Sequence, residues 1–425
     1  MKAAEERSAF VRWRHQVLDL GQGVNLWDRY FYPNPPILPI SLYPLMILPP
    51  VTGALLWFAA KSVMVTVAAL ACFRMVREGA WELAPWDEGL ILFLSLRPIL
   101  SDLHHGNINL LILFLVVMAL GAWRKGWDVL AGLMLALAIA YKVTPALFVP
   151  YFLYKRSWRT VGACLLGIGV YLLLIPSLVL GPEFNGQCLA SWWQRTLSPY
   201  LVHDIPSQQE PNQSMVGVLT RLLTETRPVD KNGYGGTVLD LNLVSWPPEQ
   251  VALMVKGLSI GLVGLLALLC RTRAERRDDP RLFGEFALVV LTMLFVSERS
   301  WKHHYVTLLL PFTYLVACCR RPGAPWRVRA VLGSSLVLAT LLIASTSSEL
   351  GGLFHRHGHK IAQFYGMFFW AGVVLYAATA WRVAADWQRP MGSETDLNRS
   401  VPPAPHLANA PQLAFQSQWD GEEHG

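Results

Sequence analysis

An all-α, polytopic membrane protein is the fold class this sequence predicts, and three observations predict it. Charge is scarce: Asp, Glu, Lys and Arg make up 15% of the 425 residues, against about 25% in a soluble domain. The scarcity is concentrated in nearly uncharged runs such as Ile108–Trp123, Val161–Leu180, Val251–Leu269, Leu282–Val296, Tyr305–Cys319 and Val328–Ser345. Several of these approach the ~20 apolar residues that cross a hydrocarbon core. The cations sit in short clusters between those runs, and 17 Trp accompany them. That is the pattern of cytoplasmic loops and interfacial aromatics, and it argues against a nucleic-acid surface despite the net charge of +7.

The elements follow from threading the chain with every basic cluster (Arg74–Arg77, Arg124–Lys125, Lys155–Arg159, Arg271–Arg277, Arg320–Arg329, Arg382–Arg389) in the cytoplasm. Residues 1–50 then form an outer N-terminal segment. Its stretch Pro33–Pro50 is apolar but holds seven prolines, so a re-entrant or interfacial element is expected there, not a spanning helix. The transmembrane bundle, 51–382, opens with Pro50–Met75 running inward and Gly89–Leu103 outward. Asn107–Trp123 returns, Val129–Tyr141 and Pro145–Tyr154 make a short pair, and Trp158–Leu180 runs outward. A long outer loop, 181–249, precedes five more runs: Gln250–Cys270, Leu282–Val296, Tyr305–Cys319, Val328–Ser345 and Ile361–Trp381. The polar segment 383–425 is expected to be a disordered cytoplasmic tail. No apolar segment precedes residues 1–35 to carry them outside, so the threading predicts a first transmembrane helix upstream of this chain. The six cysteines lie mostly in or beside apolar runs, and no disulfide framework, metal site or cofactor is expected.

Polar groups inside such a chain are the informative ones, and the threading puts four groups of them near the outer face. Glu5, Glu6, Asp19 and Asp28 alternate with Arg12, Arg14, His15 and Arg29. They offer a carboxylate base for an acceptor hydroxyl, or only the solvated face of an amphipathic helix. Ser101 to Asn109 opens directly into an apolar run. His105 and Asn107 there sit where a helix N-terminus attracts anions, while Asp102 or Asn107 would equally serve as caps. Lys142 lies between two short helices; it either neutralises a phosphate or extends to the interface. Ser297 to Tyr305 packs one acid, two cations (Arg299, Lys302), the pair His303-His304 and two aromatics into nine residues, far more chemistry than a plain connection needs. His303 can act there as a hydrogen-bonding group or, near neutral pH, as a cation. The long loop adds Asn212, Gln213 and, on the amphipathic stretch Met215–Leu223, Arg221.

In this order those segments resemble glycosyltransferase family 87 of the GT-C superfamily. The resemblance runs from about Arg12 to Tyr305. It rests on Gly23-Val24-Asn25-Leu26-Trp27, Tyr32-Pro33-Asn34-Pro35-Pro36, Leu48-Pro49-Pro50, His105-Gly106-Asn107-Ile108-Asn109-Leu110, Ala131-Gly132, Lys142-Val143-Thr144-Pro145, Asn212-Gln213-Ser214 with Arg221, and Ser300-Trp301-Lys302-His303-His304. The resemblance implies a GT-C-like helix bundle in the inner (plasma) membrane. It also implies an inverting transfer of a sugar, typically mannose, from a polyprenyl-phosphate donor to a lipid or glycan acceptor. His303 stands at the family's important histidine. The family's base is an aspartate just after the first transmembrane helix. No aspartate precedes Trp13 here, so either Glu6 takes that role or the acid lies upstream. Lys142, Lys302, His105, Asn107, Asn212, Gln213 and Arg221 are the expected donor-phosphate and substrate contacts. A transporter or flippase of lipid-linked sugars is the competing expectation. It would share the spans but is expected to show paired halves, and no internal repeat is evident.

Overall fold

Proline and glycine set most helix boundaries in this chain. The computed structural model describes residues 8–30, 32–79, 81–201, 211–225, 242–350 and 358–387, and every regular element among them is helical. Ser8 caps α1 (Ala9–Leu20) by accepting from the Val11 amide, and Asn25 caps the short α2 (Leu26–Arg29). In the proline-rich stretch, α3 (Ile37–Met46) forms only ten residues and carries Pro44 inside it. Proline in the first turn, where its missing N–H costs nothing, starts α4 (Pro50–Glu78) and α5 (Pro85–His105). Next come α6 (Asn109–Arg124), α7 (Asp128–Tyr141), a 3-10 turn (Thr144–Leu147), α8 (Phe148–Tyr154) and α9 (Trp158–Leu180). The second half contains α10 (Pro182–Trp192), α11 (Met215–Leu223), α12 (Pro248–Leu269) and α13 (Pro280–Val296). A 3-10 turn (Lys302–Leu308) leads into α14 (Leu309–Arg320), followed by α15 (Trp326–Ala344), α16 (Gly358–Phe364) and α17 (Met367–Trp387).

Among the described residues five helices, α4, α9, α12, α15 and α17, are long and apolar enough to cross a membrane. On α4, α9, α12 and α15 no more than 28% of the apolar window is buried, so most of their leucine and valine side chains face outward, as in lipid. The threading also counted runs such as Gly89–Leu103, Asn107–Trp123, Leu282–Val296 and Tyr305–Cys319 as crossings; the helices there are shorter or more charged, and α13 is interior. From Leu282 to Phe295, α13 is buried throughout. Small residues let α7 and α9 approach closely: a Cβ on Gly132 would lie 2.4 Å from the Thr160 carbonyl oxygen, the kind of contact that replaces the hydrophobic effect between helices in lipid. Two expected helices are broken. The run from Tyr305 starts as a 3-10 turn, and Gly366 at φ +76° separates α16 from α17.

The ends of the bundle differ in character. At one end the basic clusters interlock. Arg124 donates to the carbonyls of Met75 and Asp278, Arg277 pairs with Asp128, Lys155 with Glu285, Arg77 with Glu88 and Arg320 with Asp87. At the other end Trp57 donates to the Gly106 carbonyl, Asn34 to Tyr141, Trp192 to Pro33 and Arg97 to Thr346. Among the described residues, His105, Asn107, Lys142 and the turn carrying His303 meet at this second end. The described residues up to Ala384 form one compact unit.

Candidate active site

The corner between α5 and α6 organises the site. Gly106, at φ +69°, closes α5. Asp102 then reaches forward: its Oδ2 accepts from both the backbone amide (3.1 Å) and the side-chain amide (3.0 Å) of Asn109, capping α6. Its Oδ1 accepts from Lys61 Nζ at 3.0 Å, and Lys61 also donates to the Asp102 carbonyl at 2.8 Å. Both side chains are wholly buried. Such a pair persists only when its hydrogen bonds are satisfied, and removing one partner typically costs ~3–5 kcal/mol. The remaining Asn109 oxygen accepts from Lys142 Nζ at 2.7 Å. Lys61, Asp102, Asn109 and Lys142 thus form one continuous chain linking α4, α5, α6 and the end of α7.

His303 enters from the 3-10 turn and is 3% exposed. Asn107 Oδ1 accepts from the Ile108 amide, which turns its Nδ2 toward His303 Nε2 at 2.9 Å. Nε2 is therefore the acceptor and the ring proton sits on Nδ1, which is buried with no hydrogen-bond partner. That N–H is thus free to donate to a water or to a ligand. The His105 ring packs 5.5 Å from His303, with its own Nδ1 donating to the Ser101 carbonyl. Burial first, then the cationic forms of His105, Lys142, Lys302 and Lys61, hold His303 well below the ordinary imidazole range. Of the two roles the sequence left open, hydrogen-bonding group or cation, this environment favours the neutral, hydrogen-bonding one. His304 turns elsewhere, donating to the Arg299 carbonyl at 3.0 Å. With Asn109, Lys142, Ser297, Ser300 and Thr307 it lines a cavity of ≈ 20 Å³, room for one water-sized group. Burial lowers Lys142 to about 7, with Asp102 opposing the shift. Lys302 is half-buried beside His303.

The loop 297–305 is held from behind. Asn212 donates to the Glu298 carbonyl at 2.9 Å, and its Oδ1 accepts from the Ser300 amide at 3.0 Å. The Gln213 amide donates to the Ser300 carbonyl, and Tyr305 Oη to the Gln213 carbonyl, both at 2.7 Å. Gln213 Nε2 reaches the Gln363 carbonyl. Arg221, fully buried, donates through Nε and Nη2 to the Phe364 carbonyl. Asn212, Gln213 and Arg221 therefore bind backbone and fasten the loop to α16.

The candidate base, Glu6, lies with Glu5 outside the described residues. Of the other acids, Asp19 accepts from Tyr30 and faces Arg29, and Asp28 faces Arg195. Among the described residues no three His, Cys, Asp or Glu side chains converge to hold a metal ion.

Residues 31–297 match the model of glycosyltransferase family 87. The chain belongs to this family. It is 28% identical over 315 residues to a polyprenol-phosphate-mannose-dependent alpha-(1-2)-phosphatidylinositol mannoside mannosyltransferase of Mycobacterium tuberculosis, an alignment covering 73% of this chain and 63% of that protein. It is 28% identical over 316 residues to a polyprenol-phosphate-mannose-dependent alpha-(1-2)-phosphatidylinositol pentamannoside mannosyltransferase of Mycolicibacterium smegmatis, covering 72% and 66%. The chain thus spans slightly under two thirds of these relatives. No solved structure matches it. Within this family 87 chain, Lys302 and His303 lie just beyond the matched region. The sequence reading missed Lys61 and Asn109 as members of the site. Lys61 had a signal, being the only charged residue between Pro50 and Arg74.

Proposed function

We propose that this chain transfers a mannosyl residue from polyprenyl-phosphate mannose to a hydroxyl of a glycolipid or glycan, with inversion, on the non-cytoplasmic side of the inner (plasma) membrane. The observation that carries this reading is the convergence of His105, Asn107, Asn109, Lys142 and His303 from three separate segments at one end of a lipid-exposed bundle. The basic clusters lie at the other end, which by the positive-inside rule faces the cytoplasm.

The chemistry asks little of the protein. The acceptor oxygen attacks the anomeric carbon from the face opposite the phosphate. The carbon–oxygen bond to the phosphate breaks, and polyprenyl phosphate leaves with the bonding pair. The leaving group is stable as an anion, so the demands are a base for the acceptor proton and fixed positive groups for the phosphate. We assign the base to Glu6. Lys142 and Lys302 neutralise the departing phosphate, and the unpartnered Nδ1–H of His303 donates to one of its oxygens, with Asn107 and His105 fixing the ring. Asn212, Gln213 and Arg221 serve the donor indirectly by holding the His303 loop. The proline-rich surface at 33–50 receives the prenyl chain.

The test is incubation of purified protein with labelled polyprenyl-phosphate mannose and glycolipid acceptors, phosphatidylinositol mannosides first because the relatives' names specify them. Label should move to the acceptor. Movement of intact donor across a liposome bilayer, without transfer, would replace the enzyme by a flippase.

A further inference from the structure

At the basic end, remote from the site above, lies a second polar cleft of ≈ 760 Å³, lined by Tyr154, Lys155, Arg156, Arg271, Thr272 and Arg273 among others. Lys155 is already committed to Glu285. Arg156 and Arg273 are exposed, and neither has an acidic partner among the described residues. Thr272 is 6% exposed, and its Oγ1 has no hydrogen-bond partner. The cleft thus brings the exposed guanidinium groups of Arg156 and Arg273 beside the buried Thr272 hydroxyl; Glu275 is the one acid in its lining, and Arg277 there is paired with Asp128.

Arg156 is the telling residue. Among the described residues it is the single non-glycine at positive φ, +55°. It occupies the turn that ends α8: its amide donates to the Leu153 carbonyl, and the Ser157 amide to the Phe152 carbonyl, both at 2.9 Å. The turn that ends α6 has the same pattern, Gly126 to Trp123 at 3.0 Å and Trp127 to Ala122 at 2.9 Å. Ser157 and Trp127 even share φ −83° and ψ 62°. In one turn the left-handed position is glycine, at φ +81°, as sterics favour; in the other it is arginine, which sterics disfavour. Backbone geometry does not explain Arg156, whereas a side chain needed at the cleft does.

The surroundings point to a lipid. The cleft lies where α9 begins and α12 ends, two spans with 17% of their apolar windows buried. Tyr154, Trp158 and Leu268 are each more than half exposed there. Aromatic residues beside cations at the end of a lipid-facing helix mark headgroup depth.

We infer that this cleft binds the phosphate of an anionic lipid headgroup. The guanidinium groups of Arg156 and Arg273 take its oxygens, and Thr272 Oγ1–H donates a further hydrogen bond. A free phosphate would use the same donors but gain nothing from the apolar rim. The inference stands independently of the transfer reaction.

The experiment uses the full chain in phosphatidylcholine nanodiscs titrated with phosphatidylglycerol or cardiolipin, bound lipid being counted by native mass spectrometry. Arg156→Gly and Arg273→Gln should each weaken anionic-lipid retention about fivefold, and Thr272→Val should weaken it further. Arg156→Gly should keep its melting temperature at or above the parent's, because glycine suits the turn. A purely structural arginine predicts a lower one, and that result counts against the proposal. Arg329→Gln, an exposed cation outside the cleft lining, should leave retention unchanged. Equal loss in Arg329→Gln, or no loss in the two cleft variants, would reduce the effect to general surface charge and overturn the site. Displacement of the lipid by excess inorganic phosphate would overturn the lipid assignment in favour of a soluble anion.

Discussion

If Lys142 holds the donor phosphate, donor binding must depend on pH in a specific way. Burial brings its ammonium to about 7, with Asp102 pulling the other way, and the amine stays tied to Asn109 at 2.7 Å. A bound phosphate favours the charged form, so Lys142 titrates higher in the complex than in the free protein. Donor binding therefore takes up a proton above pH 7 and weakens as pH rises through the free value. Between pH 6 and 8 the protonated fraction falls from about nine-tenths to about one-tenth, so the donor Kd should rise about tenfold. The donor is a phosphodiester and does not titrate in this range, and His303 and His304 both sit well below it. Stability of the free protein runs the opposite way. The unfolded lysine keeps its proton up to about pH 10.4, so between 7 and 10 the unfolded state binds more protons and the folded state gains stability as pH rises. The assay is binding of a phosphonate analogue of the donor in nanodiscs from pH 6 to 8. Lys142→Arg, charged throughout, should flatten the profile. Lys142→Met should flatten it too and weaken binding by roughly 10–100-fold, the loss of a charge-assisted hydrogen bond. A flat parent profile, or an unchanged slope in Lys142→Arg, would refute the assignment.

The other predictions concern the same end of the bundle. His303→Ala should abolish transfer with only a modest fall in melting temperature, since its one protein hydrogen bond in the site is to Asn107 and its Nδ1–H has no protein partner, while His304→Ala should be milder; specific activity and thermal stability measured on one preparation check both. Lys61→Met should destabilise by ~3–5 kcal/mol, because Asp102 is left buried and unpaired, and adding Asp102→Asn, which removes the charge but keeps an oxygen for Asn109, should recover part of that in a melting experiment. Glu6→Gln should lower turnover at least ~100-fold with donor binding intact; near-normal turnover would move the base to Asp19, Asp28 or an upstream residue. A cysteine placed in 181–249 should label from outside intact cells and one in Arg271–Asp279 should not, the reverse pattern overturning the orientation.

What could be read in advance depended on whether the signal was local. Apolar runs and basic clusters are local, so the helical class and the gathering of chemistry at one end were legible. The length of each helix was not, because an interior helix such as α13 meets protein along its whole length and need not match the bilayer alone. Met215–Leu223 was legible as an amphipathic helix, and Ser214 caps it. The work of Asn212 and Gln213 was not legible, since their partners, Glu298, Ser300 and Gln363, lie about 90–150 residues away. Nothing in the pair His303-His304 shows which ring faces Asn107 and which faces Lys142; that follows from the 3-10 turn they occupy. Lys61 is the instructive case. A lone cation in a long apolar run is costly wherever it points, so the run itself announced a buried acid somewhere in the chain. Asp102, met as a helix cap, was that acid. Capping and pairing are one role here, because the carboxylate that ends the positive field of α6 also neutralises Lys61 and places Asn109 under Lys142. If Lys142 faces the donor phosphate as proposed, its amine is held by a chain already closed before any donor arrives, and a preorganised group of this kind is what a reaction with a good leaving group can use.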